Sequence, residues 1–307
     1  MTMKIGFVVN PNAGVHRNSY KEIRELAERT FDRSHQVEII PTKGAGDATQ
    51  IARHFAQDRF DIVAAVGGDG TANETAQGLV QTDTAFTVIP YGSGNGLARG
   101  LSIPLDRRRA VKMILNRHYK MIDAGEVIDG EQRRMFFGFA GIGFDALIGK
   151  RFNEQKGRRG LTSYIRLALD SYHRYEPVPV RICFNEKEIY AKPFILAIAN
   201  TREYGNSAKI APMAIPDDGL FEVCILQNIT FLKGLLNGWR LFAGSIHKLP
   251  EMSIYRSRYI EIIPEGKLIY HLDGEPYETE NKLTFKVLPK FMKVIVSEKH
   301  NHIGTFQ

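Results

Sequence analysis

Apolar residues in the first third of the chain come in short runs separated by amphipathic stretches, and the alternation is regular. Residues 4–10 carry Ile5, Phe7, Val8 and Val9 and predict a buried strand; residues 36–40, 60–66 and 86–90 predict three more. Between the first two, Ile23, Leu26, Ala27 and Phe31 share one face of a helix that Asn18 or Ser19 would cap. Further helices are expected over 47–55, 71–80 and 107–115. The run 60–66 is nearly all apolar, as a strand covered on both faces must be. Strands alternating with helices in this way predict a doubly wound parallel sheet with helices on both faces.

The pattern changes around 121–131. Strands are expected at 135–139, 178–185, 194–199, 220–226, 259–263, 267–272, 282–287 and 291–296, interrupted by helical segments at 160–175 and 230–249. A run of strands following a βα region predicts a second domain, an antiparallel β-sandwich or barrel. The expected organisation is an α/β domain over 1–126, with 291–307 a candidate to rejoin it, and a β-sandwich over 127–290. There is no internal repeat and no low-complexity tract.

Composition narrows the class rather than the function. A chain of 307 residues supports one large or two ordinary domains. The N-terminus lacks the regions of a secretory signal, and no apolar run approaches the ~20 residues a membrane-spanning helix needs. The expected location is cytoplasmic, with any membrane contact peripheral. Cys183 and Cys224 each sit inside a strand-like run and are expected to be packing residues. The formal net charge of +7 suits an acidic partner, whether nucleotide, anionic membrane or nucleic acid.

The candidate chemistry lies in the loops after the parallel strands. Gly67-Gly68-Asp69-Gly70-Thr71 follows the third strand and opens a helix, where ligands of open α/β sheets bind and helix N-termini favour phosphate. Its glycines allow close approach to phosphate oxygens, and Asp69 suits Mg²⁺ or nucleotide; a tight turn with Asp69 or Thr71 as cap is the plainer reading. After the fourth strand comes a second turn, Gly92-Ser93-Gly94-Asn95-Gly96, followed by Arg99, which either pairs with phosphate or is a solvated helix charge. Asn10 ends the first strand, and Thr42 to Ala48 form a further polar loop at the same edge. Four such loops at one edge mean more than any one of them.

Taken in order, Asn10-Pro11-Asn12-Ala13-Gly14, Gly67 to Thr71, Pro90 to Arg99, Gly141 to Ala146, Pro216 to Leu220 and Asp273-Gly274-Glu275 resemble the catalytic region of the diacylglycerol kinase and sphingosine kinase superfamily. The resemblance covers most of the chain. The Gly-Gly-Asp-Gly-Thr element alone is shared with NAD kinases and phosphofructokinases, and the C-terminal elements separate this chain from both. It implies an ATP-dependent lipid kinase in which a nucleotide domain faces a lipid-binding sandwich. Glu275 would be the general base towards a lipid hydroxyl, and Asp69 would act through Mg²⁺. Asn10, Thr42, Gly67, Gly68, Asp69, Gly70, Thr71, Ala72, Asn73, Gly92, Ser93, Gly94 and Asn95 would line ATP. Asp218, with the carbonyls of Ile215 and Leu220, would hold a second, structural Mg²⁺, although a turn before a strand explains that loop equally well. Asp145 would lie in the acceptor pocket.

The lipid is left open by the motif, because Gly96 stands where many diacylglycerol kinases carry Asp and Ser93 is similar to the sphingosine kinase version. A diacylglycerol-like acceptor leads; a sphingoid base or ceramide, a soluble acceptor such as NAD, or a silent nucleotide-binding regulator are the alternatives. No nucleic-acid-binding motif appears, and a homodimer is admitted. Lys150, Arg151, Lys156, Arg158 and Arg159 precede a stripe of Leu161, Ile165, Ala168 and Tyr172, which either meets an anionic surface or packs on the sandwich. The 230–249 segment is expected as a core helix or part of a lipid gate.

Overall fold

A computed structural model describes residues 2–14, 18–154 and 161–297. Its elements begin β1 (Lys4–Val9), α1 (Ser19–Thr30), β2 (Gln36–Pro41), α2 (Asp47–Gln57), β3 (Ile62–Gly67), α3 (Asp69–Gly78), β4 (Ala85–Pro90), α4 (Gly96–Gly100) and α5 (Arg107–Met113). They continue with β5 (Tyr119–Asp129), β6 (Gln132–Phe136), β7 (Phe139–Gly143), α6 (Phe144–Glu154), α7 (Leu161–Tyr172), β8 (Val180–Phe184), β9 (Lys187–Ala191), β10 (Pro193–Ala199) and β11 (Phe221–Gln227). Last come α8 (Phe231–Asn237), α9 (Trp239–Ala243), β12 (Met252–Ser257), β13 (Tyr259–Pro264), β14 (Leu268–Leu272), β15 (Glu275–Thr279) and β16 (Leu283–Ile295). The chain divides into two compact units, one running to Asp123 and resuming at Lys290, the other Ala124–Pro289.

In the first unit the strands run parallel in the order β2-β1-β3-β4, and the end of β16 extends the sheet through Val294 beside Phe86. Strands β3 and β4 are buried from end to end. Helix α2 packs against α3 and α1 against α5, which covers the apolar strand faces. The parallel register brings the ends of β1, β3 and β4 level, with Gly67 beside Pro90. Four loops therefore emerge along one edge.

The second unit contains two antiparallel sheets. One has the order β12-β11-β10-β7-β14-β15; the other contains β13, β8, β9 and the first part of β16, with the β5–β6 hairpin. Strand alternation sorts the residues. Leu196 and Ile198, Phe221 and Val223, Leu268 and Tyr270 join the core between the sheets, while Ala197, Ala199, Cys224 and Leu226 join a second cluster on the outer face of the first sheet. Ile148 of α6 is buried in that outer cluster, and Tyr164 and Tyr172 of α7 pack against it. Cys224 is buried there, which pushes its thiol pKa up and leaves it a packing residue.

Several elements differ from expectation for identifiable reasons. The two strands expected at 282–287 and 291–296 are one strand, β16, whose chain passes Pro289 and then Lys290 at φ +48°. Proline removes a ladder donor and the left-handed residue bends the strand, so pairing switches from β13 to β4 across this point. The Lys290 amide donates instead to the buried Asp123 carboxylate at 2.7 Å. The strand expected at 135–139 is β6 and β7, separated at Phe137 and Gly138. The segment 230–249 is two short helices, of which neither contains a buried residue. No helix among the described residues is long and apolar enough to cross a membrane.

Phe136 is fully buried, stacked on Phe221 at 5.3 Å and edge-on to Phe285 at 6.4 Å. Phe136→Ala should lower the unfolding free energy by about 3–5 kcal/mol. Urea titration followed by tryptophan and tyrosine emission checks this, and an unchanged midpoint would remove Phe136 from the core.

Candidate active site

The loop-bearing edge of the first unit is built by contact between two turns. Strand β3 ends at Gly67, and α3 starts at Asp69 after an extended Gly68. The Tyr91 amide donates to the Gly67 carbonyl at 2.8 Å, bringing the following turn alongside. A Cβ on Gly92 would sit 2.6 Å from the Gly68 Cα, and one on Gly68 would sit 3.2 Å from the Gly92 Cα. The approach requires glycine at 92, while a side chain at 68 would need its neighbour to give by a few tenths of an ångström. The side chain of Asn95 closes the second turn from both sides, accepting from the Gly92 amide at 2.9 Å and donating to the Gly92 carbonyl at 2.7 Å. Asn95 holds a left-handed φ of +51°, a conformation that asparagine tolerates. Arg99 Nε donates to the Gly94 carbonyl at 3.1 Å, so part of its role is to hold this loop.

Asp69 is the first residue of α3, and one of its oxygens accepts from the Leu97 amide at 3.2 Å. That bond links the start of α3 to the start of α4. Asn10 adds a third loop: its amide bonds to the Val66 carbonyl at 2.9 Å and its Nδ2 donates to Thr71 Oγ1 at 3.3 Å. The Thr42 amide bonds to the Val9 carbonyl at 2.8 Å, placing that residue beside the end of β1. Gly70 and Ser93 are exposed, Asn73 is half-buried, and Ala72 is buried with its amide used by the Gly68 carbonyl. Of the expected lining, Gly67, Thr71 and Ala72 are buried. The first turn of a helix leaves N–H groups without intrahelical acceptors, and the positive end of its dipole attracts anions. An arrangement of this kind suits a polyphosphate.

Below it, Tyr91 is buried with the Arg107 guanidinium 3.9 Å above its ring. Arg107 also reaches both oxygens of Glu22, at 3.1 and 2.9 Å. Burial, reinforced by Glu22, raises the Tyr91 phenol well above its ordinary pKa. This joins the loop after β4 to α1 and α5.

The second unit carries the other candidate residues. Leu272 pairs with Glu275, leaving Asp273 and Gly274 as a two-residue hairpin turn with φ of +48° and +90°. The Asp273 carboxylate accepts from three successive amides, Phe137 at 2.8 Å and Gly138 and Phe139 at 2.9 Å. The break between β6 and β7 supplies those amides, so the turn presenting Glu275 is pinned to a neighbouring strand. Glu275 itself is exposed at the start of β15.

Asp145, in the first turn of α6, is buried on the outer face of the first sheet. Its Oδ2 accepts from Tyr204 at 2.7 Å and lies 3.3 Å from His271 Nε2. The Gly274 amide donates to His271 Nδ1 at 3.2 Å, which leaves the histidine proton on Nε2, facing Asp145. Asp145 Oδ1 is buried with no hydrogen-bond partner among the described residues. Phe139 and Tyr204 meet edge to face at 3.9 Å beside it. Burial and the Asp145 charge raise the phenols of Tyr204, Tyr164 and Tyr175, keeping them protonated donors. Sequence reasoning missed Tyr204 and His271. The usable signal was alternation, which puts His271 on the outer face of β14 opposite Gly141, where a Cβ would lie 2.3 Å from the imidazole.

Both oxygens of Asp218 are engaged, Oδ1 by the Leu220 amide at 3.0 Å and Oδ2 by Arg256. A cation held there with the Ile215 and Leu220 carbonyls would compete with that ion pair. Lys150 pairs with Glu278, and Arg151 donates to Ser171 Oγ at 2.6 Å. Lys156, Arg158 and Arg159 lie outside the described residues.

This geometry has known counterparts. Residues 4–127 match the diacylglycerol kinase catalytic domain, and residues 138–296 match the YegS C-terminal NAD kinase beta sandwich-like domain. A protein of Chromohalobacter salexigens named "Probable lipid kinase YegS-like" is 30% identical over 269 residues, covering 85% of this chain and 84% of that one. A protein of Mycobacterium tuberculosis named "Diacylglycerol kinase" is 29% identical over 275 residues, covering 89% and 88%. In fold, the chain superposes on the crystal structure of a diacylglycerol kinase from Bacillus anthracis str. Sterne with a TM-score of 0.71 at 21% identity, over 96% of this chain and 97% of that one. A sandwich-domain match over about half of the chain, together with relatives aligned over most of both chains, means that this chain belongs to the diacylglycerol kinase catalytic-domain family with a YegS-type C-terminal domain, and is a lipid kinase, a phosphotransferase.

Proposed function

We propose that the chain transfers the γ-phosphate of ATP to the hydroxyl of a diacylglycerol-like lipid. The observation that carries the nucleotide half is the contact of the Gly68 and Gly92 turns with Asp69 at the head of α3. Exposed backbone in the two turns and the first turn of α3 would cradle the phosphates, with Asn10, Thr42, Asn73, Ser93 and Asn95 as side-chain partners. Among the described residues no three His, Cys, Asp or Glu side chains cluster as a metal cage. That suits Mg²⁺, which keeps much of its water and is held by one or two carboxylates plus substrate phosphates. Asp69 would be the carboxylate, and the ion would neutralise charge on the transferring phosphoryl group. A second, structural Mg²⁺ at Asp218 with the Ile215 and Leu220 carbonyls would have to displace Arg256 from that carboxylate.

Glu275 would accept the proton of the acceptor hydroxyl as its oxygen bonds to the γ-phosphorus and the bond to ADP breaks. Asp273 positions it by fixing the turn. Asp145 would anchor the acceptor: its unpartnered oxygen calls for a donor, and the aromatic wall beside it suits a lipid rather than a dinucleotide. That same oxygen supports the second reading, a sphingoid base whose amine meets Asp145.

Glu275→Gln should leave ATP affinity near that of the parent, by calorimetry, while lowering phosphoryl transfer by about 10²–10⁴-fold. A matching loss of ATP affinity would remove Glu275 from the role of base. Asp69→Asn should weaken Mg²⁺-dependent turnover by roughly a hundredfold, read in mixed micelles across a Mg²⁺ titration. Parental turnover in that variant would take Asp69 out of the mechanism.

A further inference from the structure

The helices that follow β11 present the largest set of exposed apolar side chains among the described residues. Leu232, Leu235 and Leu236 are 63%, 60% and 63% exposed, Trp239 57% and Phe242 42%. Gly238, which joins α8 to α9, keeps right-handed helical angles, φ −56° and ψ −28°. The helical path therefore continues through it, and positions 232, 235, 236 and 239 line one face at the i, i+3, i+4, i+7 spacing. The opposite side is anchored. Leu241 packs there against the outer cluster of the sandwich, and at the edge of the stripe Phe231 meets Tyr172 at 5.1 Å and His173 at 5.0 Å. The apolar face is thus held outward by a fixed base and is not the face that folding buries.

Charge indicates what covers it. Between Glu222 and Glu251 the chain has no acidic residue, while Lys233, Arg240 and Lys248 fall within or beside the two helices; Lys233 pairs with Glu251 where the acid-free segment ends, which leaves Arg240 and Lys248 as the cations beside the stripe that this pair does not neutralise. Arg240 lies over the Trp239 ring at 5.1 Å, a cation beside an amphipathic aromatic. A docking site for a basic or neutral protein would not need an acid-free segment of this length. An apolar stripe with a tryptophan and flanking cations matches the boundary between anionic head groups and acyl chains. Ile165 and Leu169, 45% and 42% exposed on α7, add to it, since α7 ends at Tyr172, which touches α8.

We propose that the exposed face of α8 and α9 is the surface by which this chain seats on an anionic bilayer, with the leucines, Trp239 and Phe242 entering the head-group boundary. The proposal rests on the lipid-kinase reading, because an enzyme whose acceptor stays in a bilayer must come to it. It assigns the contact to this segment rather than to the basic stretch before α7.

The test is flotation of the full chain with vesicles of phosphatidylcholine containing about one-third phosphatidylglycerol, set beside the double variant Leu235→Glu/Leu236→Glu. The parent should co-float, less so at high salt, and the double variant should lose at least about ten-fold in partitioning. Both positions are exposed, so the melting temperature should be unchanged, as should phosphorylation of a short-chain acceptor dissolved as monomers. A double variant that floats as well as the parent overturns the proposal. So does a parent that never floats and runs as a dimer which the double change converts to monomer, since a second copy would then cover the face. Vesicle binding lost in the variant, with no lipid phosphorylated by either protein, supports the surface and defeats the kinase reading instead.

Discussion

The loop edge of the first unit depends on the absence of a side chain at Gly92. Gly68 and Gly92 touch through their backbones, and any Cβ on Gly92 would fall inside the contact distance of the Gly68 Cα. Because the turns abut, the Asp69 carboxylate reaches the Leu97 amide, Asn95 folds back on Gly92, and Asn10 reaches Thr71. Asp69 and Asn10 are each oriented by another loop and Asn95 by its own turn, which is what a site needs if it is to bind phosphate without reorganising. The parallel sheet makes this possible by bringing the strand ends to one edge.

The sandwich unit solves a different problem, holding an exposed carboxylate still at a hairpin tip. Its answer is Asp273, which binds three consecutive amides freed by the interruption between β6 and β7. The Gly274 amide then fixes the His271 tautomer, and His271 faces Asp145. The proposed base and the proposed acceptor anchor thereby belong to one hydrogen-bonded chain running from the turn to α6. Among the described residues one Asp145 oxygen has no hydrogen-bond partner, and it is buried beside Phe139 and Tyr204, where a donor would be favourable.

Much of the first unit was readable in the sequence because strands buried on both faces write unbroken apolar runs, as in Ile62–Gly67. The glycine turns announced themselves as motifs, but their mutual contact did not. In the second unit, β9 and β15 went unseen because exposed edge strands carry polar residues such as Lys187, Glu188 and Glu275. Pro289 and Lys290 imitate a turn inside β16. The apolar stripe of α8 and α9 was visible, but a stripe does not say what covers it, and its exposure emerged only from the packing. Tyr204 and His271 reach Asp145 from 59 and 126 residues away, a separation no local spacing could reveal.

The proposed activity is defined most directly by the identity of the phosphorylated product. The decisive measurement is mass spectrometry after incubating the chain and Mg²⁺-ATP with diacylglycerol, monoacylglycerol, phosphatidylglycerol, sphingoid bases, ceramide and NAD as separate acceptors. The expected product is a phosphate monoester on a lipid hydroxyl, strongest for diacylglycerol and absent for NAD. Phosphorylated NAD with every lipid unchanged would contradict it.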